Sequence, residues 1–437
     1  MKRHAEQKLL EWKDSPRRKP LIIRGARQVG KTWLVEHFLA DHFDRTVKID
    51  LERRRDLHGI FEGNLDPKKI LSLLELTSEK IIPGTTLLFL DEIQACPRAI
   101  TALRYFYEEL PELHLIAAGS LLEFAFDQSS VPVGRVQYLN ISPMTFQEYL
   151  FALNKAPMAE LIGGHPASVP PEAHPLILEE LKTYFFTGGM PECVKHWRDT
   201  GSLKTVAEIQ EELLASYRDD FSKYTPSVDP NCLNSVLLNV ARGIGEQLKY
   251  TRLDQDFSGV TNRKAFNALN KARIIHRIPA CDPSGLPLGA SANPRRFKAA
   301  FLDIGLMQRL CGIPAADILQ EKDLLNLYRG KLAEQFAAQE MAAGGELFYW
   351  SREQKSSQAE IDLLAVQNGK IYPVEIKAGA AGSLRSLHLM LKTYPGCPAG
   401  IVLSSRPFSR LPDQKLIFAP LYSAALLNQM NLSEFNP

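Results

Sequence analysis

Two groups of residues in this chain have the types and spacing that chemistry requires. The first is Gly25-Ala26-Arg27-Gln28-Val29-Gly30-Lys31-Thr32, which fits G-x-x-x-x-G-K-T between the apolar run Leu21-Ile22-Ile23 and an amphipathic segment opening at Trp33. Glycines let such a loop wrap a β-phosphate, with backbone N–H groups and the positive end of the next helix facing the anion. In that arrangement Lys31 brings a point charge to the β- and γ-phosphates, and the Thr32 hydroxyl is placed to ligate Mg2+. Residues 25–33, Trp33 included, are therefore candidate contacts to ATP. Downstream, Leu87-Leu88-Phe89-Leu90 ends in Asp91-Glu92. An apolar strand ending in two acids delivers Asp91 to the magnesium shell and Glu92 to an attacking water. Ser120 closes the next apolar run and is a candidate sensor of the γ-phosphate.

The second group lies between Ala359 and Lys377. Asn368-Gly369 favours a two-residue type I′ hairpin, which sets Gln367 opposite Lys370. That register places Asp362 opposite Glu375 and Glu360 opposite Lys377 on one face, with Ile361, Leu363, Val374 and Ile376 on the other. Carboxylates directly across two strands repel, a conflict that a divalent metal between them would remove; the alternative is a Glu360–Lys377 salt bridge with Asp362 and Glu375 solvated on an open face.

These residues need scaffolds. From Pro20 to about Pro143, short apolar runs alternate with amphipathic segments, the pattern of a parallel α/β layer. Five strands are expected at Leu21–Ile23, Thr46–Ile49, Leu87–Leu90, His114–Ala117 and Val136–Leu139, with helices at Trp33–Ala40 and Arg98–Leu110 among them. The stretch 163–175, rich in Gly, Pro and His, reads as a linker or long loop, and 176–228 as helical. Residues 231–300 hold eleven Lys and Arg against four acids. There the order of helix, turn at Ser258-Gly259-Val260, helix Asn262–Ala272 and strand Ile274–Ile278 resembles a winged helix, with Thr261 or Asn262 capping the second helix. The expected domains are 1–160, 161–230, 231–315 and 316–437.

Composition narrows the function classes. With 437 residues, 45% hydrophobic and 23% charged, the chain has ample length for several cores and is neither disordered nor collagenous. A net charge of +2 argues against a uniformly basic wrapper of nucleic acid, so any contact with DNA must be regional. Six widely spaced cysteines form no zinc-ligand pattern, and no apolar run approaches bilayer length. A reduced, cytoplasmic, membrane-free location is expected.

The run from Arg24 to Thr32, Leu90 to Gln94, Gly119-Ser120, Gly134-Arg135 and Leu139 to Glu148 resembles a family of prokaryotic AAA-type ATPases with a large C-terminal region of unknown function. The resemblance covers nearly the whole chain, Gly188-Gly189-Met190-Pro191 in the lid region included. It implies a P-loop α/β domain with a helical lid, homo-oligomerisation and hydrolysis of ATP. It also sets Arg135, just before the fifth strand, where an arginine reaches a neighbour's nucleotide; action within its own subunit is the alternative. Asp362 with Glu375-x-Lys377 resembles the signature of restriction-endonuclease-like proteins, with Glu334 on an upstream helix as a further metal ligand. By that resemblance the acids hold Mg2+ and Lys377 orients water or stabilises charge at a scissile phosphate. DNA is the partner this implies. The alternatives are an ATP-driven assembly or signalling switch whose C-terminal domain binds without cutting, and a basic segment that docks a protein.

Overall fold

The computed structural model describes residues 1–126, 133–224, 228–313, 330–354, 357–377 and 384–428. Its first sheet contains all five expected strands: β1 (Leu21–Arg24), β2 (Arg45–Asp50), β3 (Thr86–Asp91), β4 (His114–Gly119) and β5 (Gln137–Asn140). All pairings are parallel, in the order β2-β3-β4-β1-β5. β3 and β4 are buried at every position, which is why they read as unbroken apolar runs rather than alternating ones. The helix Pro97–Glu109 covers the sheet with Ile100, Leu103 and Phe106. β3, β4 and β1 are neighbours, so the loops leaving their C-terminal ends converge on one edge, the usual ligand edge of a parallel sheet. The helix expected over Trp33–Ala40 begins at Lys31 and loosens into a π turn at Val35–Leu39.

The described chain divides into two compact units, Lys2–Ser142 with Lys271–Arg273, and the residues from Pro143 to Asn270 and from Ile274 on. One division falls at Ser142, and the helix Phe146–Ala152 packs with the helices that follow it. Thr145 and Glu148 form a capping box at its start, and Tyr149 meets Tyr184 edge-on at 5.1 Å. The stretch 163–175 is a loop with a short 3-10 turn at Pro166–Ser168, not a linker between separate units. It joins the helices Ala156–Gly163 and Ala173–Thr187, and buried His174 shares hydrogen bonds with the Tyr422 hydroxyl and the Ser405 carbonyl, both at 2.8 Å.

Gly188-Gly189 is a packing junction. Gly188 holds φ at 68°, and the backbone of Gly189 exchanges close contacts with Met144 and Asp303: Met144 N donates to Gly189 O and Gly189 N to Asp303 Oδ2, both at 2.6 Å. A Cβ at Gly189 would overlap the Met144 carbonyl, an atom that cannot rotate away. Gly189→Ala is expected to destabilise the chain by about 3 kcal/mol or more, read as a lowered denaturation midpoint.

The basic segment folds as a helix Pro230–Arg242, a single bridge Leu248–Phe297, helices Tyr250–Leu253 and Gly259–Lys271, and antiparallel β6 (Ile275–Ala280) and β7 (Asn293–Phe301). Ser258, not Thr261 or Asn262, caps the longer helix, accepting from Thr261 N at 3.1 Å. Asn262 is fully buried and donates to the carbonyls of Tyr250 and Asp254, locking the turn between the two helices.

The last part opens with the helix Lys331–Ala342, followed by a hairpin of β8 (Trp350–Gln354) and β9 (Ser357–Ile361). A second sheet holds β10 (Leu363–Gln367), β11 (Lys370–Ile376), β12 (Gly400–Ser404), β13 (Ser409–Leu411) and β14 (Leu416–Pro420) in the order β10-β11-β12-β14-β13. Asn368 and Gly369 take positive φ, as a type I′ turn requires, and the pairing runs from Gln367–Lys370 to Leu363–Val374 in the expected register. Among the described residues no helix is long and apolar enough to cross a membrane.

Candidate functional site

The loop after β1 is built for an anion. Gln28 and Gly30 adopt left-handed backbone (φ 63° and 92°), which turns the chain tightly into the helix at Lys31. At Gly25 the backbone passes so close to the Ile141 carbonyl that a side chain has no room. Arg3 braces the loop from the N-terminal side, its guanidinium donating to Val29 O at 3.2 Å and Ser142 O at 2.7 Å. Lys31 lies buried inside the turn and donates to Gly25 O (3.0 Å) and Ala26 O (2.7 Å). Burial pushes its ammonium down to about 8, opposed by Glu92 and Asp91. A bound triphosphate favours the charged form. ATP binding near pH 8 to 9 is therefore expected to take up a proton and binding at pH 6 none, measurable by calorimetry in buffers of different ionisation enthalpy.

The Thr32 hydroxyl donates to Asp91 Oδ2 at 3.1 Å, so two hard oxygen donors face each other beside the loop. That donor set suits Mg2+. Lys48 on β2 stands 3.2 Å from the same Asp91 oxygen and 2.7 Å from Glu36. Glu92 takes left-handed backbone (φ 47°) at the strand end, and burial raises its carboxyl. Its Oε2 accepts from Gln94 Nε2 at 2.5 Å, and Gln94 in turn fills the space a side chain at Gly119 would need. Ser120 is buried directly after β4, whose end pairs with the end of β1.

The C-terminal carboxylates converge, but around a lysine. Glu375 Oε1 accepts from Lys377 at 2.5 Å, and Asp362 Oδ2 accepts from Ile376 N at 2.8 Å. Asp362 sits in a bend just outside the β10–β11 ladder, so it meets β11 through its side chain and not as a paired residue. Glu360 does not oppose Lys377; it pairs with Ser351 in the β8–β9 hairpin. Lys298 of β7 lies 2.5 Å from Glu360, 3.6 Å from Asp362 and 3.6 Å from Glu334. Burial, then repulsion from Asp362, raises both Glu334, to about 8, and Glu375, to about 7. Among the described residues no three His, Cys, Asp or Glu side chains stand close enough together to hold a metal ion. A divalent cation does not fit between these acids with Lys298 in place.

Residues 17–150 match the family model of an AAA domain. They form an AAA-type ATPase domain. Residues 178–317 and 329–422 match two models, each described as a domain of unknown function. Among solved structures, a Walker-type ATPase of Pyrococcus abyssi is 16% identical, with 71% of this chain and 95% of that chain covered and a TM-score of 0.45. The Thermotoga maritima RuvB Holliday junction branch migration motor is 14% identical, with 63% and 89% covered and a TM-score of 0.30. No curated protein matches the chain.

Within the AAA domain, Lys31, Thr32, Asp91, Glu92 and Ser120 gather at one edge of the sheet, while Arg135 does not join them. It lies two residues before β5, whose Gln137 pairs with Leu21 at the start of β1, so it stands at the edge opposite its own P-loop. Its exposed guanidinium donates to Glu108 at 2.9 Å. Trp33 stacks on His37 at 5.1 Å along the outer side of the helix. Arg3, Lys48, Gln94 and Lys298 were not singled out in the sequence. Only Gln94 left a local signal there, standing two residues after Glu92.

Proposed function

We propose that the chain is a magnesium-dependent, ATP-hydrolysing protein of the cytoplasm that acts on DNA through the segment after its AAA domain, as a homo-oligomer. The observation that carries the ATPase part is the contact between Thr32 and Asp91 beneath buried Lys31, with Glu92 next in sequence. Lys31 and the loop N–H groups grip the phosphates, and Thr32 and Asp91 would hold Mg2+. When bound, the ion neutralises charge that develops on the phosphate oxygens. Glu92 accepts a proton from the attacking water, Gln94 fixes the direction of its carboxylate, and Ser120 faces the terminal phosphate.

DNA contact is supported by the order helix, bridge, two helices and two-stranded ribbon, which is that of a winged helix. On its second helix Arg263, Lys264 and Asn267 are exposed on the face away from Phe266 and Leu269. The helix Lys331–Ala342 and the β10–β14 sheet support a restriction-endonuclease-like fold. The position of Lys298 favours binding over cleavage in that domain. Titration of duplex DNA should raise ATP turnover, and Arg263→Ala with Lys264→Ala should weaken binding roughly tenfold and lower the salt slope by about 1 to 2. Turnover indifferent to DNA, with no salt-dependent binding, would point to the assembly or signalling switch instead.

A further inference from the structure

Lys298 is one of eleven basic residues in a segment that sequence alone treats as a charged surface, yet its side chain is 3% exposed. It projects from β7 into the carboxylates of a different part of the chain: Glu334 from the helix Lys331–Ala342, Glu360 from β9 and Asp362 from the bend that follows. Partly buried acids at this density need a counter-charge, and a lysine ammonium supplies one as a compact point charge. Glu360 stands at 2.5 Å and Asp362 and Glu334 at 3.6 Å, ion-pair distances to an ammonium and not the roughly 2.0 to 2.1 Å of Mg2+. The ring of Tyr349, 5.4 Å from Nζ, closes one side, and the backbone of Gly245 passes directly over the Glu334 carboxylate. The cavity that remains is about 10 Å³, room for one water at most and none for a hydrated divalent ion. One acceptor stays unused: Glu375 Oε2 is buried and has no hydrogen-bond partner, so the cluster still presents an oxygen that a metal could take.

We propose that Lys298 is the resident cation of this cluster: its ammonium takes the position a divalent ion would need, and the folded chain stays closed to metal there until Lys298 is removed or drawn out. The hairpin of β6 and β7 is thereby tied to the acids of the C-terminal domain by one side chain. Removing that side chain leaves the acids without a counter-charge; drawn together around a divalent ion, which their present spacing does not hold, they should form a metal site with every carboxylate kept.

The experiment uses the full chain without nucleotide and Mn2+ as the probe, followed by calorimetry and by electron paramagnetic resonance, with Asp362→Asn marking the cluster. Wild type and D362N should bind Mn2+ alike. Lys298→Met should gain a site at least tenfold tighter than any in wild type, lost again in K298M/D362N, and Mn2+ should raise its melting temperature. Should K298M not fold, Lys298→Gln also removes the ammonium while keeping a polar side chain, and should give the same gain with the same dependence on Asp362. A wild-type Mn2+ site that disappears in D362N would overturn the proposal, since metal and lysine would then coexist. No gain in either variant would overturn it too, because the acids would then have no use for a metal at all. Neither outcome depends on the ATPase reading: a chain inactive on ATP leaves both arms interpretable.

Discussion

Glu92→Gln is expected to bind ATP about as tightly as wild type and to hydrolyse it about 10²- to 10⁴-fold more slowly. The substitution keeps the shape and one acceptor oxygen, so the contact from Gln94 survives, and it leaves Lys31, Thr32 and Asp91 untouched. What is lost is the ability to take a proton from water. Burial raises the Glu92 carboxyl above an ordinary glutamate, while Gln94 and Lys31 pull it back, so the carboxylate is a stronger base than an exposed one. Equilibrium titration with a fluorescent ATP analogue, beside phosphate release at saturating ATP, separates binding from turnover. Asp91→Asn makes the contrast, because it should weaken the magnesium dependence of binding itself. An E92Q protein that turns over near the wild-type rate would place the base elsewhere, and Ser120 and Lys48 are too poor as bases to replace it.

The parts of this fold legible in sequence are those in which local rules and tertiary structure agree. β3 and β4 are continuous apolar runs because both faces are covered, and the P-loop shows because few residues other than glycine could make its turn. The hairpin register follows from Asn368-Gly369 alone. It stops being informative at Leu363, where the bend at Asp362 hands the strand to another hairpin, and so the placements of Asp362 opposite Glu375 and Glu360 opposite Lys377 fail although every pair from Leu363 to Gln367 is right. His174 looks like part of a Pro-rich linker until Tyr422 and Ser405, far along the chain, supply its partners. Lys298 is the extreme case. Nothing in its neighbourhood distinguishes it from Arg295 or Arg296, and its role exists only once β7 is laid beside acids from three other elements. Hydrophobic period locates elements; it carries no information about which charges will meet inside.

Arg135→Ala is expected to cut ATP hydrolysis by about 10³- to 10⁵-fold, the loss typical when an arginine finger is removed, with ATP affinity and melting temperature nearly unchanged. The position argues for this. β5 runs parallel to β1, and Arg135 lies two residues before its start while the P-loop leaves the last residue of β1, so the length of the sheet separates Arg135 from the phosphates its own chain holds. If it meets a phosphate, that phosphate belongs to a neighbouring copy. Its ion pair with Glu108 is exposed and screened by solvent and so adds little to stability, and a loss of activity cannot be blamed on unfolding. Complementation supplies the decisive measurement. An R135A subunit keeps a sound P-loop, and a Lys31→Ala subunit keeps a sound arginine, so a mixture of two inactive proteins should recover turnover at interfaces where the two face each other in the right order. Specific activity of the wild type should also climb with protein concentration as copies assemble. A mixture that stays inactive, together with an R135A protein that hydrolyses ATP normally, would leave Arg135 as a surface partner of Glu108 and confine catalysis to a single chain.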